Sequence, residues 1–226
     1  MHNHTHNHLR THRRGGRTRV RPRNRARTEG DHRRRGEQVT DPLVSDDGAR
    51  ETLPVELVDD SGRAIGTASV AAAHRTPGLQ HRAFSVVLFD SAGRLLLQQR
   101  APAKTRFPAL WSNTCCGHPA PGEAVTAAAM RRLSEEMGMR ATLAEAGIYR
   151  YRAADTGTGQ VESEWDHVLI GRPDIESPRP DAAEVGDYTW IRPDELRAAL
   201  TTNPQEYTPW LAGVLDIAER AHRDTA

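Results

Sequence analysis

The segment from Gly117 to Gly138, GHPAPGEAVTAAAMRRLSEEMG, decides the fold of this chain. Residues 124–137 are rich in alanine and contain neither glycine nor proline, so they predict a helix, and Gly138 stands where a C-terminal cap belongs. The segment contains three glutamates, Glu123, Glu135 and Glu136. Carboxylates on one turn of a helix share a face, where they can hold a hard divalent cation bridged to a diphosphate. A single glutamate of this kind would be typical of an ordinary amphipathic surface helix, but the whole pattern is not.

Seven positions of this segment match the Nudix box, which it therefore resembles: Gly117, Glu123, Arg131, Leu133, Glu135, Glu136 and Gly138. One position departs from the box, because Arg132 stands where a glutamate is expected. In Nudix hydrolases that glutamate helps to bind the metal that activates water. An arginine cannot bind a cation, but its guanidinium can clamp an oxyanion through two hydrogen bonds. The resemblance thus implies a helix that binds diphosphate but hydrolyses it poorly.

The rest of the chain alternates between strand and helix patterns. Strands are predicted at 55–58, 64–70, 81–89, 94–100, 111–116, 147–153, 161–171 and 187–191, and helices at 194–200 and 208–222. The run at 81–89 is mostly apolar, which predicts a strand buried on both faces. We therefore expect an α/β (α+β) fold with a Nudix-type mixed sheet flanked by helices, in a single domain spanning residues 51–226.

Residues 1–50 are predicted to be a disordered extension, because they are rich in histidine and arginine and poor in apolar residues. Residues 1–36 contain 12 arginines against two acidic residues, whereas residues 37–226 carry a net charge of −9. The extension could bind metal weakly through MHNHTHNH or contact nucleic acid or acidic partners. A solvated extension without a partner is the simpler interpretation, so no nucleic-acid partner is expected.

The two cysteines, Cys115 and Cys116, are adjacent and cannot form a long-range disulfide. This favours a reducing compartment. No stretch has the roughly 20 apolar residues needed to span a bilayer, and the N-terminus lacks the apolar core of a secretory signal. We expect a cytoplasmic protein without a membrane partner, either monomeric or weakly dimeric.

A second motif lies directly before the helix, at residues 100–119, RAPAKTRFPALWSNTCCGHP. It closely resembles the signature of type 1 isopentenyl-diphosphate isomerases, Arg-x3-Lys followed by Pro-x2-Trp-x-Asn-x2-Cys-Gly-His-Pro. The resemblance extends over about residues 55–215, through Ala73-His74, His81-x-Ala83-Phe84-Ser85, Tyr149-Arg-Tyr151-Arg152, Glu162-Ser-Glu164, Glu184-Val-x-Asp187 and Thr208-Pro-Trp210. It implies the conversion of isopentenyl to dimethylallyl diphosphate by a 1,3-allylic proton shift, a step of isoprenoid biosynthesis.

The same resemblance implies two metal sites. The first is formed by His74, His81, His118, Glu162 and Glu164. Three imidazoles with carboxylate oxygens suit Mn²⁺, Zn²⁺ or Fe²⁺ better than Mg²⁺ alone. Taken singly, each histidine is more often an ordinary surface or core residue, so the joint match carries the assignment. Glu136 corresponds to a ligand of a second ion, Mg²⁺, which arrives with the diphosphate.

The residues implied for the substrate are mostly cationic. Arg100, Lys104 and Arg132 match the family's diphosphate contacts, and Lys104 is the only lysine in the chain. The family usually has a basic residue where this chain has Val70, so Arg75 or another arginine could compensate. Trp210 is implied as the aromatic wall of the site, ahead of Trp111.

The implied chemistry needs a proton donor and a proton acceptor. Glu164 is the expected acid, with Tyr151 as relay, because a metal-bound carboxyl is a stronger donor. Cys116 is the expected base, provided that its thiol pKa is lowered. The pairing follows from the resemblance, whereas the direction of transfer stays open. Cys115 is expected to be a buried bystander.

Two alternatives remain on the sequence alone. One is a Nudix hydrolase of a nucleoside diphosphate derivative, against which Arg132 and the Cys-Gly-His-Pro run argue. The other is a non-catalytic module that binds diphosphate or RNA through the basic extension. Such a module would have no use for the set of Cys116, Glu164 and Tyr151.

Overall fold

Two sheets form the framework of the molecule, in a computed structural model that describes residues 46–175 and 177–225. The elements in chain order are α1 (Asp46–Arg50), β1 (Pro54–Val58), β2 (Ala64–Ser69), α2 (Val70–His74), β3 (His81–Leu88), β4 (Leu95–Arg100), β5 (Trp111–Ser112), β6 (Cys115–Gly117), α3 (Val125–Met137), β7 (Ala141–Ala154), β8 (Val161–Pro173), β9 (Val185–Ile191), α4 (Pro193–Thr202), a 3-10 turn (Pro204–Glu206) and α5 (Leu211–Thr225). The larger sheet has the order β2-β1-β3-β8-β7, with β6 also paired to β3, and the smaller one has the order β5-β4-β9. The larger sheet is mixed, because β3 and β8 run parallel while its other pairs are antiparallel.

Helices α3 and α5 cover opposite faces of the larger sheet. Strand β3 alternates its side chains, so that Phe84, Val86 and Leu88 pack with α3. Val87 faces the other way and packs with α5. Both faces of β3 are thus buried, and the predicted mixed sheet flanked by helices is confirmed.

Helix α3 ends as its sequence predicts. Gly138 adopts the left-handed conformation, with φ of 60°, and its amide donates to the carbonyls of Leu133 and Ser134. A Cβ atom at this position would lie 2.5 Å from the carbonyl oxygen of Arg179. Both the backbone conformation and the close approach therefore require glycine. This cap fixes the end of the helix that carries Arg132 and Glu136.

Three sequence predictions need correction. The strand expected at 64–70 ends at Ser69, whose hydroxyl caps helix α2 by accepting from the amide of Ala72. The strand expected at 111–116 is two short strands in different sheets, one paired with β4 and the other with β3. The strand expected at 147–153 extends over Ala141–Ala154, because it pairs with β8 along this length apart from one irregularity at Ala146.

Residues 1–45 of the predicted extension, which spans residues 1–50, lie outside the described residues. Its last five residues, Asp46–Arg50, form helix α1 instead of an irregular segment. None of the helices in the described part of the chain combines the length and the apolar character needed to cross a membrane.

Candidate active site

Five side chains converge at one end of the larger sheet: His74, His81, His118, Glu162 and Glu164. One possible ligand atom from each residue lies within 4.8 Å of those of the other four. The three imidazole rings are packed with centroids 4.7 to 5.2 Å apart. The structure thus brings together the five residues that the sequence assigned to one metal site.

The fold explains how these residues meet. Glu162 and Glu164 are two residues apart on β8, so their side chains share a face. His81 is the first residue of β3 and stands directly opposite Glu164 in the parallel pair. His74 is the last residue of α2, and His118 follows β6 on the other side of β3. Three strands and one helical turn therefore position one cluster.

Two of the histidines are oriented by backbone carbonyls. His74 Nδ1 lies 2.7 Å from the carbonyl oxygen of Val70, and His81 Nδ1 lies 2.8 Å from that of Leu79. These contacts fix Nδ1 as a protonated nitrogen on both rings, and on His81, whose imidazole is neutral, Nε2 is then an acceptor that faces the cluster. Among the described residues, His81 Nε2 has no hydrogen-bond partner although it is buried. A buried lone pair aimed at two carboxylates and two other imidazoles is what a divalent cation would satisfy.

Burial keeps two of the imidazoles neutral. It lowers the pKa of His81 to about 4, with the nearby His118 adding to the effect. It lowers the pKa of His118 to about 3, with His74 adding to the effect. Only neutral imidazole can bind a metal, so both rings are in the form required at neutral pH.

His74 and Glu162 behave as an ion pair instead. Burial opposes the charge on His74, but the adjacent Glu162 outweighs it and raises the histidine pKa. Burial likewise opposes the charge on Glu162, but His74 and Arg106 outweigh it and lower the carboxyl pKa. The two side chains are joined by a hydrogen bond of 2.7 Å. A cation bound here would replace the proton that they share.

Glu164 links this cluster to Tyr151. The tyrosine hydroxyl donates to Glu164 Oε2 over 2.7 Å, and His118 Nε2 lies 3.1 Å from Glu164 Oε1. Burial raises the pKa of Glu164 to about 7, and the charge of Glu162 adds to this shift. Glu164 can therefore exchange a proton near neutral pH.

Cys116 departs from the expected chemistry. Burial raises the pKa of its thiol to about 12, with the charge of Asp166 adding to the shift, so the lowered pKa on which the base role of Cys116 was conditional is not found here. The thiol donates to Asn113 Oδ1 over 3.3 Å and also lies 3.7 Å from the Ser85 hydroxyl. No cationic side chain forms a hydrogen bond with the sulfur among the described residues, so burial dominates. Cys115 is fully buried in the core against α3, as expected.

A cavity of about 320 Å³ opens beside the cluster, within the size range of small-molecule sites. The expected catalytic groups Cys116, Tyr151 and Glu164 all line it. Trp210 forms part of its wall, whereas Trp111 does not line it. Trp210 is held in place by its indole N–H, which donates to Asn113 Oδ1 over 3.2 Å. Asn113 thus holds both the thiol and the aromatic wall.

The cations expected to bind diphosphate line the same cavity, each with a partner. Lys104 Nζ bonds Glu184 over 2.6 Å. Arg132 donates to Glu135 over 2.8 Å and also bonds Glu136, the expected Mg²⁺ ligand. Arg100 donates to the carbonyl oxygen of Arg106 over 2.8 Å, and its guanidinium lies 5.9 Å from the centroid of a Trp210 ring.

The site lies within a recognised domain, because the NUDIX domain family matches residues 79–211. A protein named isopentenyl-diphosphate Delta-isomerase, from Nocardia farcinica, is 65% identical over 174 residues, which cover 77% of this chain and 99% of that protein. This chain belongs to the isopentenyl-diphosphate Delta-isomerase family. A relative of the same name from Streptomyces avermitilis is 50% identical over 188 residues, covering 82% of this chain and 93% of the relative.

A solved structure supports the fold of this family member. The crystal structure of DR0079 from Deinococcus radiodurans matches with a TM-score of 0.60 and covers 75% of this chain and 99% of its own. The two chains are 20% identical, so the likeness concerns the fold alone.

Sequence reasoning missed several residues that support the site of this isomerase-family chain. Arg106 has its Nε 3.2 Å from Glu162 Oε1, beside the expected metal ligands. Glu184 appeared in a matching motif but had no assigned role, although Lys104 and Arg132 both contact it. The buried Asp166 accepts from Ser85 over 2.8 Å, behind Cys116. These contacts join residues that are 52 to 81 positions apart in the chain, and no local sequence pattern predicts contacts over such separations.

Proposed function

We propose that this protein converts isopentenyl diphosphate to dimethylallyl diphosphate by a 1,3-allylic proton transfer, as a step of isoprenoid biosynthesis. The observation that carries the proposal is one cavity lined by Cys116, Tyr151 and Glu164 together with Arg100, Lys104 and Arg132. The first three can move protons, and the other three can hold a diphosphate. The 65% identity to a protein named for this isomerisation supports the same assignment.

Glu164 is assigned the protonation of the alkene, with Tyr151 as relay. An isolated alkene is a very weak base, so its protonation needs a carboxyl that holds a proton in a dry site. With a pKa of about 7, a substantial share of Glu164 carboxyls is protonated at neutral pH. Tyr151 donates to Glu164 Oε2 and thereby orients the carboxyl and connects it to the cavity.

Cys116 is assigned the removal of a proton from the substrate. Its thiol must first lose its own proton, and the pKa of about 12 makes the thiolate scarce. The pair therefore reacts from its minor arrangement, in which Glu164 holds the proton and Cys116 is ionised. The hydrogen bond to Asn113 Oδ1 fixes the position of the sulfur at the cavity wall.

Trp210 is assigned the stabilisation of the positive charge that develops on the substrate carbon. Its ring is buried and faces the cavity, which also excludes water from the reacting carbons. An aromatic face attracts a cation by about 0.5–2 kcal/mol, with the larger values in desolvated sites. Phe107 and Tyr151 pack against Trp210 with ring centroids 5.2 and 5.7 Å apart, so the wall is rigid.

Two divalent cations belong to the proposal. His74, His81, His118, Glu162 and Glu164 would hold Mn²⁺ or Zn²⁺, and Glu136 would hold Mg²⁺ that accompanies the diphosphate. When bound, the first cation would lower the pKa of Glu164 and make it a stronger acid. Glu136 stands apart from the histidine cluster and, without a cation, accepts from Arg132 and from Gln98.

Proton exchange in D₂O tests the proposal. Purified protein is incubated with isopentenyl diphosphate and Mg²⁺, and products are followed by NMR. We expect deuterium in dimethylallyl diphosphate without release of phosphate. Phosphate release without isomerisation would instead identify a Nudix hydrolase. Binding of diphosphate without turnover would identify a non-catalytic module.

Location and assembly are also proposals. We place the protein in the cytoplasm, as a monomer or weak dimer that acts on a small-molecule diphosphate. Gel filtration with light scattering tests the oligomeric state, and a stable tetramer would contradict it.

A further inference from the structure

Arg50 is the last residue of helix α1, and its side chain lines the same cavity as Lys104 and Arg132. Neither the sequence motifs nor the proposed mechanism gives it a role. The side chain is 22% exposed, and its Nε lies 3.0 Å from Glu184 Oε1. Its guanidinium therefore belongs to the cavity wall and not to the outer surface.

The carboxylate of Glu184 gathers three cations at this wall. Arg50 contacts one of its oxygens and Lys104 contacts the other, over 2.6 Å. Arg132 Nη2 lies 3.4 Å from the oxygen that Arg50 contacts. Glu184 is only 5% exposed, so its charge is poorly screened and holds the three cations close together. Two of these three already belong to the proposed diphosphate site.

The charge of the cavity favours an anion at this wall. Six arginine and lysine side chains line the cavity against three glutamates. Two of those glutamates, Glu162 and Glu164, belong to the histidine cluster. Cationic side chains thus outnumber carboxylates among the lining residues. At the Arg50 wall these cations already pair with Glu184 and Glu135, and a diphosphate would take over part of those contacts.

The backbone around Arg50 is fixed to the rest of the domain. The carbonyl of Glu51 accepts from the amide of Ala71, and the Glu51 carboxylate accepts from Arg106 over 2.7 Å and from Thr105 over 3.0 Å. These contacts tie α1 both to helix α2 and to the loop that carries Lys104. The backbone that carries Arg50 is thus already ordered, which lowers the entropic cost of binding an anion through this side chain.

The same wall contains Val70, the apolar residue at a position where a cation was expected. Arg75, considered as a substitute, is exposed and is not among the residues that line the cavity. We propose that Arg50 supplies this cation, binding the substrate diphosphate beside Lys104 while Glu184 positions both. That the ligand is isopentenyl diphosphate rests on the proposed function, whereas the contact with Arg50 requires only a diphosphate group.

The test uses the full chain and four proteins: wild type, Arg50→Ala, Arg50→Lys and the control Arg63→Ala. Arg63 is 82% exposed and pairs with Asp59 outside the cavity. Binding of inorganic pyrophosphate with Mg²⁺ is measured by calorimetry, and KM and kcat are measured with isopentenyl diphosphate. Circular dichroism checks folding. Should Arg50→Ala fail to fold, Arg50→Gln keeps a hydrogen bond to Glu184 without the charge and takes its place.

We expect Arg50→Ala to weaken pyrophosphate binding and to raise KM about tenfold, with kcat within about twofold of wild type. Arg50→Lys should recover part of the affinity, and Arg63→Ala should match wild type. Pyrophosphate affinity that is unchanged in Arg50→Ala, or absent in wild type, would overturn the inference. A wild type that binds pyrophosphate through Arg50 but forms no dimethylallyl diphosphate would refute the proposed function and leave this inference standing.

Discussion

Replacing Tyr151 by phenylalanine tests the proposed acid most directly. The substitution removes one hydroxyl, which donates to Glu164 Oε2 over 2.7 Å, and keeps the ring that packs beside Trp210. A hydrogen bond to a charged group contributes about 1.5–3 kcal/mol. If that bond is needed only when Glu164 gives up its proton, kcat should fall about 10-fold to 160-fold. KM should change little, because the diphosphate cations lie elsewhere on the cavity wall.

A matched control comes from the neighbouring tyrosine. Tyr149 stacks on Tyr151 with ring centroids 5.4 Å apart, but it does not line the cavity. Steady-state rates are compared for Tyr151→Phe, Tyr149→Phe, Glu164→Gln and the double variant of Tyr151 and Glu164. Because Tyr151 acts through Glu164, its substitution should cost nothing further in the Glu164→Gln background. The reasoning is refuted if Tyr151→Phe stays within about threefold of wild type, or if Tyr149→Phe loses as much.

Three further predictions concern the proton-transfer pair, the stability of the fold and the N-terminal extension. Cys116→Ala and Glu164→Gln should each lower kcat by about 100-fold to 10,000-fold while the protein stays folded. An isomerisation rate close to that of wild type, measured by NMR in either variant, would refute the assignment of these two residues to proton transfer. Asp155→Ala should lower the free energy of unfolding by about 3 kcal/mol, because the buried carboxylate accepts from the Phe107 amide over 2.7 Å. Calorimetry at neutral pH should show a Tm about 6–12 °C lower, and a shift under about 2 °C would contradict the estimate. Burial opposes the charge on Asp155, but its hydrogen bonds, led by the one from the Phe107 amide, outweigh burial and lower the carboxyl pKa below 3.8. This contribution to stability is therefore present above about pH 4 and is lost as the pH falls through the lowered pKa. Deleting residues 1–45 should leave kcat and KM unchanged, and a loss above about threefold would give the extension a role.

The sequence predicted those parts of the site that follow from local periodicity. Glu162 and Glu164 had to share a face because they are two residues apart on a strand, and the structure confirms this. The prediction of the helix that ends at Gly138 was equally local, since both its composition and its C-terminal cap lie within one short segment. Bringing His74 and His118 to the same point depended on the family resemblance, because nothing local reports how α2 and β6 meet across β3.

The properties that the sequence could not predict depend on burial and on long-range contacts. The pKa of the Cys116 thiol is raised mainly by desolvation, and the residue type alone does not reveal its burial. Arg50 lies at the end of a segment whose composition predicted disorder, and its role depends on Glu184, which is 134 residues further along the chain. Contacts of this kind become visible only when the fold has brought the two elements together.

Arg132 explains how a helix with a Nudix pattern can serve an isomerase. At this box position its guanidinium bonds Glu135 and Glu136, the two carboxylates that end the motif. Burial opposes its charge, but Glu136 outweighs burial and raises the arginine pKa, so the cation is permanent. A permanent cation at this box position takes the place of one carboxylate metal ligand and favours an anion such as the proposed diphosphate. The proposed metal ligands lie elsewhere, on β3, β8 and the residues beside them, and three of them, His118, Glu162 and Glu164, line the cavity. The proposed anion site and the proposed proton donor therefore involve different residues of one cavity. If this separation is what protects the diphosphate, Arg132→Glu should weaken isomerisation and introduce measurable phosphate release in the D₂O assay.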